Sequence, residues 1–235
     1  MRAVSPAHLL LLATVSGQRL PQNQDPTPHI GFCYPAGGQD GTSVEVLVGG
    51  QYLSKVCGAR FTDEGVTAEF LEHTKPNKRY QDSKAQDNAQ ISELVKLRVT
   101  IAKGAAPGER EVRIYSTNRI SNRLWFFVGE LPEYLEKETN NTPGRANRAP
   151  VLPAVLNGQI MPGDQDFWRL PLKKGQSIAI WNRARKIMPY LADAVPGWFQ
   201  SCLALSGPSG KEVAWSGGFR FDPDPLLQYA VPESG

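Results

Sequence analysis

Lys96-Leu97-Arg98-Val99-Thr100-Ile101 alternates polar and apolar residues without a break, the two-residue period of a strand with one face in a core and the other in water. Ala106-Pro107-Gly108-Glu109 follows as a turn, and Val112-Arg113-Ile114-Tyr115 resumes the alternation, so the stretch predicts a hairpin with one wet face. Upstream, Ser43-Val44-Glu45-Val46-Leu47-Val48 is rich in β-branched residues, lies between Gly41-Thr42 and Gly49-Gly50, and reads as another strand. Downstream, Leu124 to Val128 is apolar on both faces and is expected between two layers. Lys78 to Leu94 has neither Gly nor Pro and carries helix formers such as Lys84, Ala85, Gln86 and Glu93, which predicts a short, solvated helix inserted among the strands.

Turn residues and charge accumulate from Gly129-Glu130-Leu131-Pro132 to Pro150, marking a domain boundary. Beyond it, short strand candidates recur at Phe167–Leu170, Ser177–Asn182, Ser201–Leu205, Glu212–Trp215 and Leu227–Val231, separated by Gly- and Pro-containing turns. The expected fold is therefore all-β with two β-sandwich domains, at 29–129 and 130–235. A chain of 235 residues, with 22 Gly and 19 Pro, suits two turn-rich domains of this size. The last strand candidate runs almost to Gly235 with an outer edge left open, so the second domain is expected to be C-terminally incomplete and part of a longer parent chain.

The 26 basic and 23 acidic residues are scattered, with no basic run and no basic stripe interleaved with aromatics, so nucleic acid is not an expected partner. The longest apolar run, Leu9–Val15, falls far short of the roughly 18 residues that span a bilayer, and no membrane insertion is expected. That run follows Arg2 and precedes Val15-Ser16-Gly17, the pattern of a minimal secretory signal over 1–17, with a Pro/Gln-rich linker at 18–28. Export to a periplasmic, cell-surface or extracellular location is the expectation. Three cysteines make neither a disulfide scaffold nor a metal set. In an exported chain Cys33 and Cys57 are candidates to pair, the alternative being small buried hydrophobes.

Two stretches resemble known families. Tyr34-Pro35-Ala36-Gly37-Gly38-Gln39-Asp40-Gly41-Thr42-Ser43-Val44-Glu45-Val46, continuing through Gly49-Gly50-Gln51-Tyr52-Leu53, resembles the opening of IPT/TIG-like immunoglobulin-fold domains of exported bacterial proteins. Leu131-Pro132-Glu133, then Glu136-Lys137-Glu138-Thr139-Asn140-Asn141-Thr142, Asn157-Gly158-Gln159-Ile160 and Pro162-Gly163-Asp164-Gln165-Asp166-Phe167 are similar to the bacterial pre-peptidase C-terminal domain, a jelly-roll-like sandwich. In calcium-binding, collagen-binding relatives of that family, a Glu-x-Glu-x-Asn-Asn linker and a Gly-Asp-x-Asp turn hold the ion. The resemblance places Glu136, Glu138, Asn140, Asn141, Asp164 and Asp166 in those roles, with Thr139 where Pro is common. By residue type alone, such carboxyl and amide oxygens suit calcium, which takes about six to eight hard oxygen ligands. Their alternative reading is solvated linker charges and turn-forming aspartates.

Four of five tryptophans, Trp168, Trp181, Trp198 and Trp215, fall in the second half on strand candidates, where packing into a core is expected rather than a sugar-binding face. Asp222-Pro223-Asp224-Pro225 reads as a rigid turn rather than a second cation site. No zinc, nucleophile-elbow or phosphate-loop motif is present; Ser206-Gly207-Pro208-Ser209-Gly210-Lys211 has the wrong spacing, and His73 beside Glu72 reads as exposed and polar. The sequence thus points to a non-catalytic exported module for adhesion, spacing or substrate targeting, with calcium at the linker. The alternatives are a carbohydrate- or matrix-binding module, and an accessory region of a secreted peptidase or other hydrolase whose catalytic domain lies elsewhere.

Overall fold

The computed structural model describes residues 26–75, 93–160, 163–187 and 200–235. The segments read as a signal (1–17) and most of the linker (18–25) lie outside the described residues, as does 78–92 of the expected helix. The first half forms β1 (His29–Tyr34), β2 (Gly37–Gln39), β3 (Ser43–Gln51), β4 (Gly58–Phe61), β5 (Val66–Thr74), β6 (Glu93–Ile101), β7 (Gly108–Tyr115) and β8 (Leu124–Gly129). Glu93 and Leu94, expected at the end of a helix, instead open β6. The alternating stretch buries Val95, Leu97, Val99 and Ile101 while Arg98 and Thr100 face solvent.

Two four-stranded sheets result, with orders β1-β3-β6-β5 and β2-β8-β7-β4. All pairings are antiparallel except β2 with β8. This distribution of strands is that of a constant-type immunoglobulin sandwich, with β2 added beside the last strand. The inner faces share one core, in which Ile30, Val46, Leu97 and Val99 meet Val112, Ile114, Leu124 and Phe126. Phe61 meets Phe126 edge to face, with ring centroids 5.2 Å apart. Gly49 is required because a Cβ there would collide with the Phe32 ring.

The hairpin expected from β6 and β7 does not form. The segment 102–107 carries the chain across the core, so β6 pairs with β3 and β5 while β7 pairs with β4 and β8. Alternation reports which face of a strand is buried, and both strands do bury one face; it does not report the hydrogen-bonded neighbour. Nor do Cys33 and Cys57 pair. All three cysteines are free thiols. Cys33 is buried in the core cluster, which pushes its pKa up to about 12, and its Sγ lies 3.9 Å from the Pro35 carbonyl. Cys57 is exposed next to the facing sheet, 3.5 Å from the Tyr115 carbonyl.

The second half continues the all-β class in short ladders. β9 (Glu133–Leu135) runs parallel to β11 (Val155–Asn157), and β10 (Asn147–Arg148) parallel to β12 (Trp168–Arg169). β13 (Ser177–Trp181) pairs antiparallel with β16 (Leu226–Ala230), and β14 (Leu203–Ser206) with β15 (Glu212–Ser216). The expected strands are thus present. Among the described residues, however, both buried hydrophobic clusters belong to the first sandwich. The tryptophans depart from expectation: Trp181 and Trp215 stand 54% and 61% exposed, Trp168 is half-buried, and Trp198 lies outside the described residues.

A short helix, α1 (Ala184–Ile187), packs against β8 and so bridges the halves. Asp224, only 2% exposed, caps it: Oδ1 accepts the N–H groups of Ala184 (3.0 Å) and Arg185 (2.7 Å), and Oδ2 accepts that of Lys186 (2.9 Å). Asp222-Pro223-Asp224-Pro225 is therefore a capping turn, with the Asp224 N–H donating to Asp222 Oδ1 at 2.9 Å. From this platform Lys186 reaches Glu109 at 3.1 Å, and the Arg183 guanidinium lies over the Phe127 ring, 5.3 Å from its centroid.

Candidate metal centre

The acidic linker is shaped by main-chain bonds. Beyond β9 the parallel ladder adds one more link, the Glu136 N–H donating to the Asn157 carbonyl at 2.9 Å. Glu136 then turns its side chain back, and its Oε1 accepts the Gln159 N–H at 2.6 Å. Further along, the Asn140 carbonyl accepts from the Phe167 N–H at 3.1 Å and the Phe167 carbonyl from the Asn147 N–H at 2.9 Å. These two bonds bring Asp166, more than twenty residues downstream, beside the linker.

Glu136, Glu138 and Asp166 converge, one carboxylate oxygen of each lying within 4.8 Å of the others. Oxygens at about 2.3–2.6 Å from a calcium ion stand at most about 5 Å apart, so this spacing lets all three reach one ion. Glu136 Oε2 is buried and accepts no hydrogen bond; its one available bond is to the Asp166 carboxylate beside it, made when Glu136 holds a proton. Gly158 leaves the room: a Cβ there would lie 2.8 Å from Glu136 Oε2 and 2.9 Å from Asp166 Oδ2. Bringing acids together in a partly dry place favours protons. Burial, with Asp166 and Glu138 close by, raises the Glu136 pKa to about 8 against the opposing Gln159 bond. Asp166 is raised by burial and by the charges of Asp164 and Glu138.

Asn140, fully buried, lies against the same oxygens. Its neighbour Asn147 is oriented by Lys137, whose N–H donates to Asn147 Oδ1 at 3.1 Å and whose carbonyl accepts from Asn147 Nδ2 at 3.3 Å. The Asn147 nitrogen therefore offers a donor to Asn140. Its bonds are completed with the Asn140 oxygen accepting from Asn147 Nδ2 at 2.8 Å and its nitrogen donating to Glu138 Oε2 at 3.1 Å and Asp166 Oδ1 at 3.2 Å. In that orientation Asn140 spaces two carboxylates. Asn141 and Asp164 bond to each other, the amide nitrogen donating to Asp164 Oδ1, which also accepts the Gln165 N–H at 2.9 Å.

Of the six residues singled out in the sequence, the fold thus gathers Glu136, Glu138 and Asp166, places Asn140 against them, and joins Asn141 to Asp164 alongside. Gly158 and Asn147 add to the site; only Gly158 had a sequence signal, in Asn157-Gly158. The cluster hangs from the first sandwich through Asn157, whose carbonyl accepts from the Tyr34 hydroxyl at 3.3 Å and whose amide donates to Glu133 Oε2 at 2.9 Å. Burial raises the Glu133 pKa and the Asn157 bond opposes it. Elsewhere, His73 is half-buried rather than exposed, and its Nε2 bonds Glu93 Oε2 at 2.7 Å rather than Glu72; the same oxygen accepts the Leu53 N–H at 2.9 Å. This pair secures the entry of β6. No protein-family model matches the sequence, and the comparison with curated proteins returns no match.

Proposed function

We propose that the chain is a non-catalytic exported module for adhesion, spacing or substrate targeting, an IPT/TIG-like sandwich followed by a pre-peptidase C-terminal-like region, whose linker is ordered by calcium. The observation that carries the reading is the convergence of Glu136, Glu138 and Asp166 around a buried carboxylate oxygen that accepts no hydrogen bond. A hard divalent cation fits this donor set, and Gly158 keeps the pocket open. Bound there, the ion supplies positive charge to three crowded carboxylates. Glu136 and Glu138 belong to the linker and Asp166 to the segment before β12, so holding one ion ties these parts together.

Extracellular modules bind calcium at roughly 10⁻⁴ to 10⁻³ M, which keeps such a site loaded outside cells and empty inside them. The test is calorimetric melting with millimolar calcium and with a chelator. Calcium at about ten times its dissociation constant stabilises by about 1.4 kcal/mol. The wild type should melt higher in calcium, and Glu136→Gln with Asp166→Asn should abolish the rise. An equal response in that double variant counts against the reading.

A second reading, a carbohydrate- or matrix-binding module, rests on the exposure of Trp181 and Trp215. Retention on insoluble polysaccharide or collagen that Trp181→Ala or Trp215→Ala removes would favour it.

A further inference from the structure

The family resemblance casts Asn140 as a calcium ligand, but its surroundings give it a different task. Its main chain is tied down twice: the carbonyl accepts the Phe167 N–H at 3.1 Å, and its own N–H donates to Glu138 Oε2 at 3.3 Å. The residue is fully buried, so each polar atom of its side chain needs a partner. Asn147 decides which way the amide faces. Both amide atoms of Asn147 bond the main chain of Lys137, and its N–H donates to the Phe167 carbonyl, so its side chain cannot turn over without losing two bonds. The second Nδ2 hydrogen of Asn147 then claims the Asn140 oxygen at 2.8 Å. This leaves the Asn140 nitrogen facing Glu138 Oε2 at 3.1 Å and Asp166 Oδ1 at 3.2 Å.

A nitrogen turned toward the acids is no ligand for calcium or magnesium, which take oxygen. It acts instead as a wedge. The two hydrogens of an amide diverge, so with straight bonds the oxygens they hold stand about 5 Å apart. Oxygens sharing one calcium ion reach that separation, whereas those on magnesium, at about 2.0–2.1 Å from the metal, stand at most about 4 Å apart. Closing on magnesium would pull Glu138 or Asp166 off Asn140 and strand a buried donor. A cluster spaced in advance by Asn140 therefore has the size of the larger ion and admits it without rearrangement.

We propose that Asn140, set by Asn147, is a spacer rather than a ligand and makes the site prefer calcium to magnesium. The proposal rests on the calcium reading above and adds the positioning pair that tunes it. The full chain is titrated calorimetrically with calcium chloride and, separately, with magnesium chloride. Wild type should bind calcium more tightly. Asn147→Ala frees the amide to turn, and its calcium affinity should fall roughly tenfold while that for magnesium does not fall, which narrows the ratio. Asn140→Ala, which removes the wedge itself, should narrow it in the same direction. Tyr34→Phe loosens the junction without touching the relay and should keep the wild-type ratio. A wild type that binds both ions equally, or an unchanged ratio in Asn147→Ala, overturns the spacer and leaves the calcium reading standing. A wild type that binds neither ion ends both.

Discussion

The hydroxyl of Tyr34, on β1, donates to the main-chain carbonyl of Asn157, the last residue of β11, across 3.3 Å. The same Asn157 carbonyl accepts the Glu136 N–H, so one oxygen joins the first sandwich to the linker that carries the acids. Tyr34→Phe removes this donor while keeping the ring. A cost of about 1 kcal/mol is expected, visible as a lower thermal midpoint. A midpoint equal to wild type would mean that the bond adds nothing to the junction.

The carboxylate cluster gives the cation-free protein an unusual pH response. Glu136 moves up from 4.5 to about 8, and Asp166 also moves up from its ordinary 3.8. An acid that holds its proton more tightly when folded stabilises the fold fully below its unfolded pKa and ceases to do so as pH rises past its folded pKa. In chelator, stability should therefore fall between about pH 5 and pH 8. Allowing for solvent screening of a half-buried group, the fall is about 1–2 kcal/mol. Unfolding midpoints of wild type and Glu136→Gln across this range give the comparison. Parallel curves for the two proteins would contradict the assignment, and saturating calcium should flatten the wild-type curve.

Gly158 offers a gentler perturbation than removing a charge. Gly158→Ala puts a methyl group within 3 Å of oxygens of both Glu136 and Asp166, forcing them apart. Calcium affinity should drop by roughly tenfold or more, as for other supports of metal ligands, while melting in chelator changes little. Unaltered calcium titration in the alanine variant would place the ion elsewhere.

How much of this was legible beforehand depended on whether neighbouring residues carried the information. Lys96–Ile101 and Ser43–Val48 disclosed strands because a half-buried strand writes its period into consecutive residues. β5 carries the same period in Val66, Ala68 and Phe70, which face the core, but only over five residues before a bulge between Phe70 and Glu72 breaks it. Glu136, Glu138 and Asp166 could be singled out by type and spacing. That Asn140 faces them as a donor follows from Asn147, whose own orientation is set by Lys137, and no local pattern encodes such a relay.

Asp224 illustrates a buried acid whose role depends on partners forty residues away. Both of its oxygens receive main-chain N–H groups of α1. Asp224→Ala leaves three donors without that acceptor and should cost about 2 kcal/mol. Hydrogen exchange should accelerate at Ala184, Arg185 and Lys186 first, and the Lys186–Glu109 contact should loosen with it. Unchanged protection at these amides would show that the helix stands without its cap.

The parallel pairing of β2 with β8 has a mechanical consequence. These strands point the same way, so tension applied between the start of one and the end of the other runs along their axes. It loads the short ladder from Gly37 to Gln39, and the bond from the Asp40 N–H to the Gly129 carbonyl, together in shear rather than peeling them singly. A sandwich built this way resists extension until the whole patch ruptures at once, which single-molecule stretching would record as one abrupt force peak.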